Sequence, residues 1–134
     1  HNFISILPPD MRSSDVKWPA NSDRWMSTFF EDIRPEHLLL VPLLEKQFGR
    51  QLQRFDEAQA DAIIDFLVDC NNRPEEEMLY VNCVAGISRS GAIVTFATDI
   101  FNLNKDKFRK DNPYILPNNL VMQLLKDRWN KRQK

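Results

Sequence analysis

The three glycines of this chain are Gly49, Gly86 and Gly91, and two of them lie in one short stretch, VNCVAGISRSGA, at positions 81–92. Glycine tolerates backbone conformations that are closed to other residues, so a chain that concentrates it in one place is predicted to need unusual backbone there. The apolar run MLYVN at 78–82 precedes the glycine loop, and the run SGAIVTFATDIFN, which is apolar nearly all round, follows it. This order predicts a strand, a tight loop and a buried helix.

Strand and helix patterns alternate along the rest of the chain. Apolar, β-branched or aromatic runs predict strands at 2–7 and 25–33. Helical periodicity predicts an amphipathic helix at 56–70 with Asp56 as its N-cap, and a closing helix at 120–131. We predict a further helix that starts near Pro35 and breaks near Val41, before Pro42, and a polar connection over 105–119. Such alternation predicts an α/β fold whose central, mainly parallel sheet is flanked by helices, with ligands bound at the carboxyl ends of the strands.

The composition excludes several classes of protein. Its 134 residues, 43% hydrophobic and 28% charged, predict one globular domain over 1–134. The net charge of −1 gives no reason to expect a nucleic-acid or membrane-surface partner, and no apolar run approaches the roughly 18 residues of a membrane span. No signal-peptide pattern opens the chain, and two cysteines are too few for a disulfide framework, so we expect a cytoplasmic location. Because the chain begins with His1 rather than Met, a missing N-terminal segment is left open.

Cys83 stands directly after the predicted strand at 78–82. A thiol becomes a nucleophile only as the thiolate, and the N-terminus of the next helix supplies partial positive charge that favours this form. Arg89 offers a planar fork that binds two oxygens of a phosphate, and Ser90 can hydrogen-bond the thiolate. Attack of Cys83 on phosphorus would give a cysteinyl-phosphate that water then hydrolyses. The predicted phosphate-binding residues, whose N–H groups can surround an oxyanion, are Val84, Ala85, Gly86, Ile87, Ser88 and Arg89.

The segment NCVAGISRSG, at 82–91, resembles the signature of the cysteine-based protein tyrosine phosphatases, and its AGISRSGA part is similar to the dual-specificity and small bacterial branch. The resemblance implies a dual-specificity phosphatase-like catalytic domain that hydrolyses phosphotyrosine, with phosphoserine and phosphothreonine left open. It implies a phosphorylated protein or peptide as substrate, phosphate or sulfate bound in the loop, and neither cofactor nor metal. Low-molecular-weight tyrosine phosphatases carry the signature near the N-terminus, whereas here it lies past the middle, which favours dual-specificity topology.

The family uses an aspartate on a separate loop as general acid for the leaving oxygen. By position, the resemblance assigns this role to Asp32 in FFEDIRP, with Glu31 as the alternative. If both lie in a strand they face opposite sides, so only one can reach the phosphate. The structural interpretation of Asp32 is a cap for the helix that Pro35 begins.

Asn82 departs from the family pattern, which has histidine before the cysteine. Asparagine can hydrogen-bond to the loop backbone and so shape the loop, but it cannot carry positive charge. We therefore expect a higher pKa for Cys83 than is usual in the family, and a slower enzyme. Thiol titration of the wild type against Asn82→His tests this, and an unchanged pKa would contradict it.

Two other functions remain open on sequence alone. One is a catalytically impaired module that binds phosphoproteins, and the other is sulfur transfer or arsenate reduction through Cys83. Basic residues are absent from the variable loop positions, which favours a singly phosphorylated group over an inositol phospholipid.

Cys70 is predicted to be a core residue, His37 to have no catalytic role, and the basic run at 105–110 to be a solvated surface or an attractant for acidic substrates. No His, Cys or Asp cluster has the spacing of a metal site.

Overall fold

The computed structural model describes residues 1–10, 21–74, 77–84 and 87–133. Within these ranges, three strands form one sheet in the order β2-β1-β3, and both pairings are parallel. The strands are β1 (Asn2–Leu7), β2 (Trp25–Phe29) and β3 (Leu79–Asn82). The helices are a 3₁₀ helix (Pro35–Leu40), α1 (Val41–Phe48), α2 (Glu57–Asn72), α3 (Arg89–Ile100), α4 (Lys105–Asp111) and α5 (Asn119–Arg132). The prediction of an α/β fold with a central parallel sheet flanked by helices is confirmed.

The core lies between β1 and the apolar faces of three helices. Ile4 and Ile6 of β1 are fully buried, and α5 packs against both α2 and α3. As its sequence predicts, α3 is the most buried helix, with every residue from 89 to 93 inaccessible or nearly so. Arg128 on α5 also binds Asp61 on α2 through two hydrogen bonds of 3.0 and 2.8 Å, which hold the pKa of the Asp61 carboxyl below its usual value.

The capping pattern at Asp56 is confirmed, since its side chain accepts from Gln59 N and the Gln59 side chain returns a bond to the Asp56 backbone. The chain also changes from a 3₁₀ helix to α1 at Val41, as Pro42 predicts.

Two predicted boundaries were wrong. The second strand ends at Phe29 rather than at residue 33, because residues 30–34 leave the sheet as an irregular segment. The polar connection at 105–119 contains α4, which starts at a local signal that the polar composition obscured: the side chain of Asn104 accepts from Lys107 N as an N-cap.

The segment at 112–118 crosses the start of α3 and is hydrogen-bonded to the residues that directly precede this helix. Leu116 N donates to Ile87 O at 3.2 Å, and Asn118 N donates to Ser88 O at 3.0 Å. A Cβ atom at Gly91 would lie only 2.6 Å from Cγ2 of Ile115. Glycine at this position therefore allows the crossing segment to lie directly against the first turn of α3.

None of the helices in the described ranges combines the length and the apolar character that a membrane span requires.

Candidate active site

Cys83 follows β3 directly, at the carboxyl end of the sheet, and its side chain is partly buried. Its Sγ atom lies 3.3 Å from Oγ of Ser90, which belongs to the first turn of α3. The structure thus brings together the predicted nucleophile and the predicted thiolate partner. A hydroxyl at this distance can donate to a thiolate and stabilise it when it forms or leaves.

Arg89 is the first residue of α3 and is only 7% exposed. Its Nη1 donates to Phe30 O at 2.7 Å, which ties the guanidinium to the segment after β2. Its Nε is buried and has no hydrogen-bond partner among the described residues. A buried guanidinium N–H without a partner is costly, so this group calls for an acceptor that the described protein atoms do not supply.

Asp32 lies on the irregular segment between β2 and the 3₁₀ helix, and its side chain is 34% exposed. Its Oδ1 accepts two hydrogen bonds of 2.8 Å, one from Oγ of Ser88 and one from Nδ2 of Asn118. Its Oδ2 lies 4.0 Å from Nε of Arg34. The carboxylate is therefore docked against Ser88, within the predicted phosphate-binding loop.

Glu31 is engaged elsewhere. One carboxylate oxygen accepts from Nη1 of Arg50 at 2.6 Å, and the other accepts from the backbone N–H of Gln53. The backbone N–H of Glu31 also donates to Gln53 O at 2.9 Å. These bonds fasten residue 31 to the connection before α2, while Asp32 is bonded to Ser88 and Asn118.

Ser88 stands at the N-cap position of α3, but its hydroxyl makes no cap hydrogen bond and donates to Asp32 instead. The side chain is 3% exposed. The first-turn N–H groups of α3 are consequently left without a side-chain acceptor at the N-cap, a feature that favours an anion in front of the helix.

The remaining loop residues differ in exposure. Val84 is 73% exposed and Ile87 is partly buried, whereas Ala85 and Gly86 lie outside the described residues. Asn82 ends β3 with an exposed side chain, and within the described ranges that side chain forms no hydrogen bond. Its predicted loop-shaping role stays a prediction.

Asn118 was missed by the sequence interpretation. It is 1% exposed, and its Nδ2 donates to Asp32 Oδ1 at 2.8 Å and to Ile33 O at 3.0 Å. An asparagine before an apolar helix is a recognisable N-cap signal. Its contact with Asp32 joins positions far apart in the chain, and no local sequence pattern predicts such a contact.

Cys70 and His37 take no part in this arrangement. Neither Cys70 nor Cys83 forms a disulfide, and Cys70 lies on α2, where burial raises the pKa of its thiol. His37 accepts from the backbone N–H of Arg34 through Nδ1 at the start of the 3₁₀ helix. Among the described residues, no group of three or more His, Cys, Asp or Glu side chains is placed to bind a metal ion.

A scan against protein-family models found no match, and neither did a search of curated proteins. Among solved structures, the chain is similar to the human tyrosine phosphatase-like serine/threonine/tyrosine-interacting protein, with 18% sequence identity and a TM-score of 0.47. The similarity covers 99% of this chain and 79% of that one. It is a distant likeness of overall fold, and the function must be inferred from the site itself.

Proposed function

We propose that this protein is a cysteine-dependent phosphoric monoester hydrolase that dephosphorylates proteins or peptides. Phosphotyrosine is the proposed substrate, and phosphoserine and phosphothreonine are the alternatives to be tested beside it. The observation that carries the proposal is the buried guanidinium of Arg89, whose Nε has no acceptor in the described protein. It lies in the same loop-to-helix unit as Cys83, and a phosphate oxygen would supply the acceptor.

In the proposed reaction, the thiolate of Cys83 attacks phosphorus while the bond from phosphorus to the leaving oxygen breaks. The electrons of that bond stay on the leaving oxygen, which takes a proton from the Asp32 carboxyl. Arg89 and the loop N–H groups bind the phosphoryl oxygens and stabilise the charge that spreads over them. Water then attacks the cysteinyl-phosphate and gives a proton to the Asp32 carboxylate. The bond from sulfur to phosphorus breaks, and Ser90 stabilises the thiolate that leaves.

Exposed apolar side chains in and next to the predicted loop support an aryl phosphate on a protein. Val84 is 73% exposed and Leu116 is 63% exposed, and Leu116 is bonded through its backbone to Ile87. Both side chains are apolar, so they can contact an aromatic ring or an apolar peptide residue. None of the variable loop positions carries a positive charge that would bind further phosphates.

A phosphoprotein-binding module without turnover is the second candidate function. Asn82 favours it, because this position carries no positive charge and its exposed side chain forms no hydrogen bond within the described ranges. A module of this kind would still use Arg89 to bind phosphate, but Cys83 would not react.

Hydrolysis of p-nitrophenyl phosphate separates the two functions. We expect turnover by the wild type, none by Cys83→Ser, and a rate roughly 10²–10⁴-fold lower for Asp32→Ala, the usual contribution of a general acid. Absence of turnover by the wild type, with binding of a phosphotyrosine peptide retained and lost in Arg89→Ala, would leave only the binding module.

Glu31→Ala is the matched control for the general acid. Because Glu31 is bonded to Arg50 and Gln53, we expect its removal to lower the melting temperature and to leave turnover close to that of the wild type. Full activity in Asp32→Ala together with loss in Glu31→Ala would show that the acid had been assigned to the wrong carboxylate.

A further inference from the structure

Asn118 is held in one orientation by a complete set of hydrogen bonds. Its Oδ1 accepts from the backbone N–H groups of Leu120 and Val121, at 3.0 and 3.2 Å, and so caps α5. Since the cap requires the oxygen to face the helix, the amide nitrogen must face the opposite way. There it donates to Asp32 and to Ile33 O. All four hydrogen-bonding positions of the amide are used, and the flipped amide would lose every one of these bonds.

The two oxygens of Asp32 are consequently unequal. Oδ1 accepts from two donors, Asn118 Nδ2 and Ser88 Oγ. Oδ2 receives no hydrogen bond from a described residue, and its closest charged neighbour is Nε of Arg34, at 4.0 Å. A neutral carboxyl group carries its proton on one oxygen, and an oxygen that accepts from two donors already has both of its acceptor positions occupied.

We propose that Asn118 is a positioning residue for the general acid, and that Oδ2 of Asp32 is the atom that gives the proton to the leaving oxygen. This inference rests on the proposed phosphatase function. Asn118 and Ser88 occupy Oδ1, so in the neutral carboxyl group the proton is carried by Oδ2. After the proton has passed to the leaving oxygen, Asp32 is a carboxylate held by the same two donors, ready to receive a proton from the attacking water on Oδ2.

The same residue joins the three segments that build the site. Its Nδ2 donates to Asp32 and Ile33 in the segment after β2, and its Oδ1 caps the N-terminus of α5. Its backbone N–H donates to Ser88 O, just before α3, at 3.0 Å. Alignment of a reacting group to within a fraction of an ångström is worth large factors in rate, so loss of one such bond affects the proton transfer more than it affects the fold.

The variant Asn118→Asp separates the two functions of the side chain. Aspartate keeps an oxygen that caps α5, but it replaces the donating NH₂ group with an acceptor that repels Asp32. The added carboxylate would lie at a position that is 1% exposed, so we expect a folded but less stable protein and a kcat that falls roughly tenfold to hundredfold. The decisive readout is leaving-group dependence: the loss should be several times larger for phenyl phosphate than for p-nitrophenyl phosphate, because p-nitrophenolate is the better leaving group and depends less on the proton that Asp32 supplies.

Asn104→Asp is the matched control. It makes the same substitution at another asparagine N-cap, where the side chain accepts from Lys107 N and the residue is exposed, outside the site. We expect its kinetics to equal those of the wild type on both substrates. If Asn118→Asp fails to fold, Asn118→Ser provides the test, because serine still caps a helix but is too short to reach Asp32.

An equal loss on both substrates, or no loss, in a folded Asn118 variant would overturn the inference while the phosphatase function stands. A wild type that hydrolyses neither substrate would overturn the phosphatase function first, and the role of Asn118 would fall with it.

Discussion

Each end of the sheet carries a cluster of polar side chains, and the two clusters differ in what they leave unpaired. The amino-end cluster consists of Asn2, Arg24, Arg73 and Glu77. The site cluster, at the carboxyl end, consists of Asp32, Cys83, Ser88, Arg89, Ser90 and Asn118.

The polar groups of the amino-end cluster are hydrogen-bonded to one another and to the nearby backbone. Asn2 is 2% exposed and donates to Glu77 at 2.9 Å. Arg73 donates to Asn2 Oδ1 and to the backbone oxygen of Asp23, and Arg24 donates to Glu77. A neighbouring cavity of about 570 Å³ is larger than the groove of about 310 Å³ that runs past Arg34 and Asn118. In the site cluster, by contrast, Nε of Arg89 is buried without a partner in the described protein. The unpaired buried donor, rather than the larger cavity, therefore favours the carboxyl end of the sheet as the ligand site.

The strongest test of this contrast exchanges arginine for lysine at each end. Lysine keeps the positive charge but loses the planar fork, so Arg89→Lys should keep the fold and lower turnover roughly 10²–10³-fold, as removal of a transition-state donor does. Arg73→Lys should leave turnover unchanged and cost about 1.5–3 kcal/mol of stability. Steady-state hydrolysis of an aryl phosphate and denaturant unfolding measure the two effects.

The contrast fails if the two substitutions behave alike. A turnover loss in Arg73→Lys would place the amino-end cluster in the functional machinery. Unchanged turnover in Arg89→Lys would show that the planar fork of Arg89 is not needed and that a positive charge at this position suffices.

The sequence predicted most of the fold, because the relevant signals are local. The apolar runs of β1 and β3, the capping pattern of α2 and the all-round apolar α3 each follow from neighbouring residues. The end of β2 was placed too late because residues 30 and 33, Phe30 and Ile33, are buried and apolar like those of the strand, although the chain has already left the sheet there.

The candidate site was predicted in its residue types but not in its connections. The spacing of Cys83, Arg89 and Ser90 in the sequence predicted a shared site, and in the fold these residues lie close together. Ser88 was expected to offer only its backbone to an anion, yet its hydroxyl is bonded to Asp32. Asn118 was not singled out at all. Bonds between residues far apart in the chain depend on how the segment at 112–118 crosses α3, which has no signature in the local sequence.

A smaller effect is expected from Gly91→Ala, which tests whether the site cluster depends on that crossing. The added Cβ would lie 2.6 Å from Cγ2 of Ile115, so Ile115 must shift, and we expect its segment to move away from α3 with it. Overpacking of this kind costs about 1–3 kcal/mol, and turnover should fall because Asn118 moves with the segment. The double variant with Ile115→Ala should recover part of both losses in a double-mutant cycle.

Gly49→Ala serves as the control for the Gly91→Ala substitution. Gly49 has a φ of +69° and no atom within 4 Å of a built Cβ, so its substitution strains the backbone without pushing on a neighbour. We expect it to be destabilising, without effect on turnover and without rescue by Ile115→Ala. Additive losses for Gly91→Ala and Ile115→Ala would contradict the close approach as the reason for glycine at position 91.

The smallest expected effect is a pH dependence confined to the amino-end cluster. The guanidinium of Arg24, with a smaller contribution from the Asn2 amide, holds the pKa of Glu77 below its ordinary value of 4.5, although burial opposes this. A carboxyl whose pKa is lower in the folded state stabilises the fold above pH 4.5 and loses that contribution as the pH falls through the folded value. The melting temperature of Glu77→Gln should therefore lie below that of the wild type at pH 6, and the gap should narrow towards pH 3.

Arg24→Met checks the cause of that dependence. It removes the main partner of Glu77, so it should produce the same narrowing gap, and the double variant should add little to either single change. Turnover at pH 6 should stay at the wild-type level in all three variants, because none of them touches the site cluster. A gap that stays constant from pH 6 to pH 3 would mean that Glu77 stabilises the fold through packing and neutral hydrogen bonds rather than through its charge. The amino-end cluster would then differ from the site cluster in two ways, in the packing of Glu77 and in having its buried hydrogen-bonding groups paired.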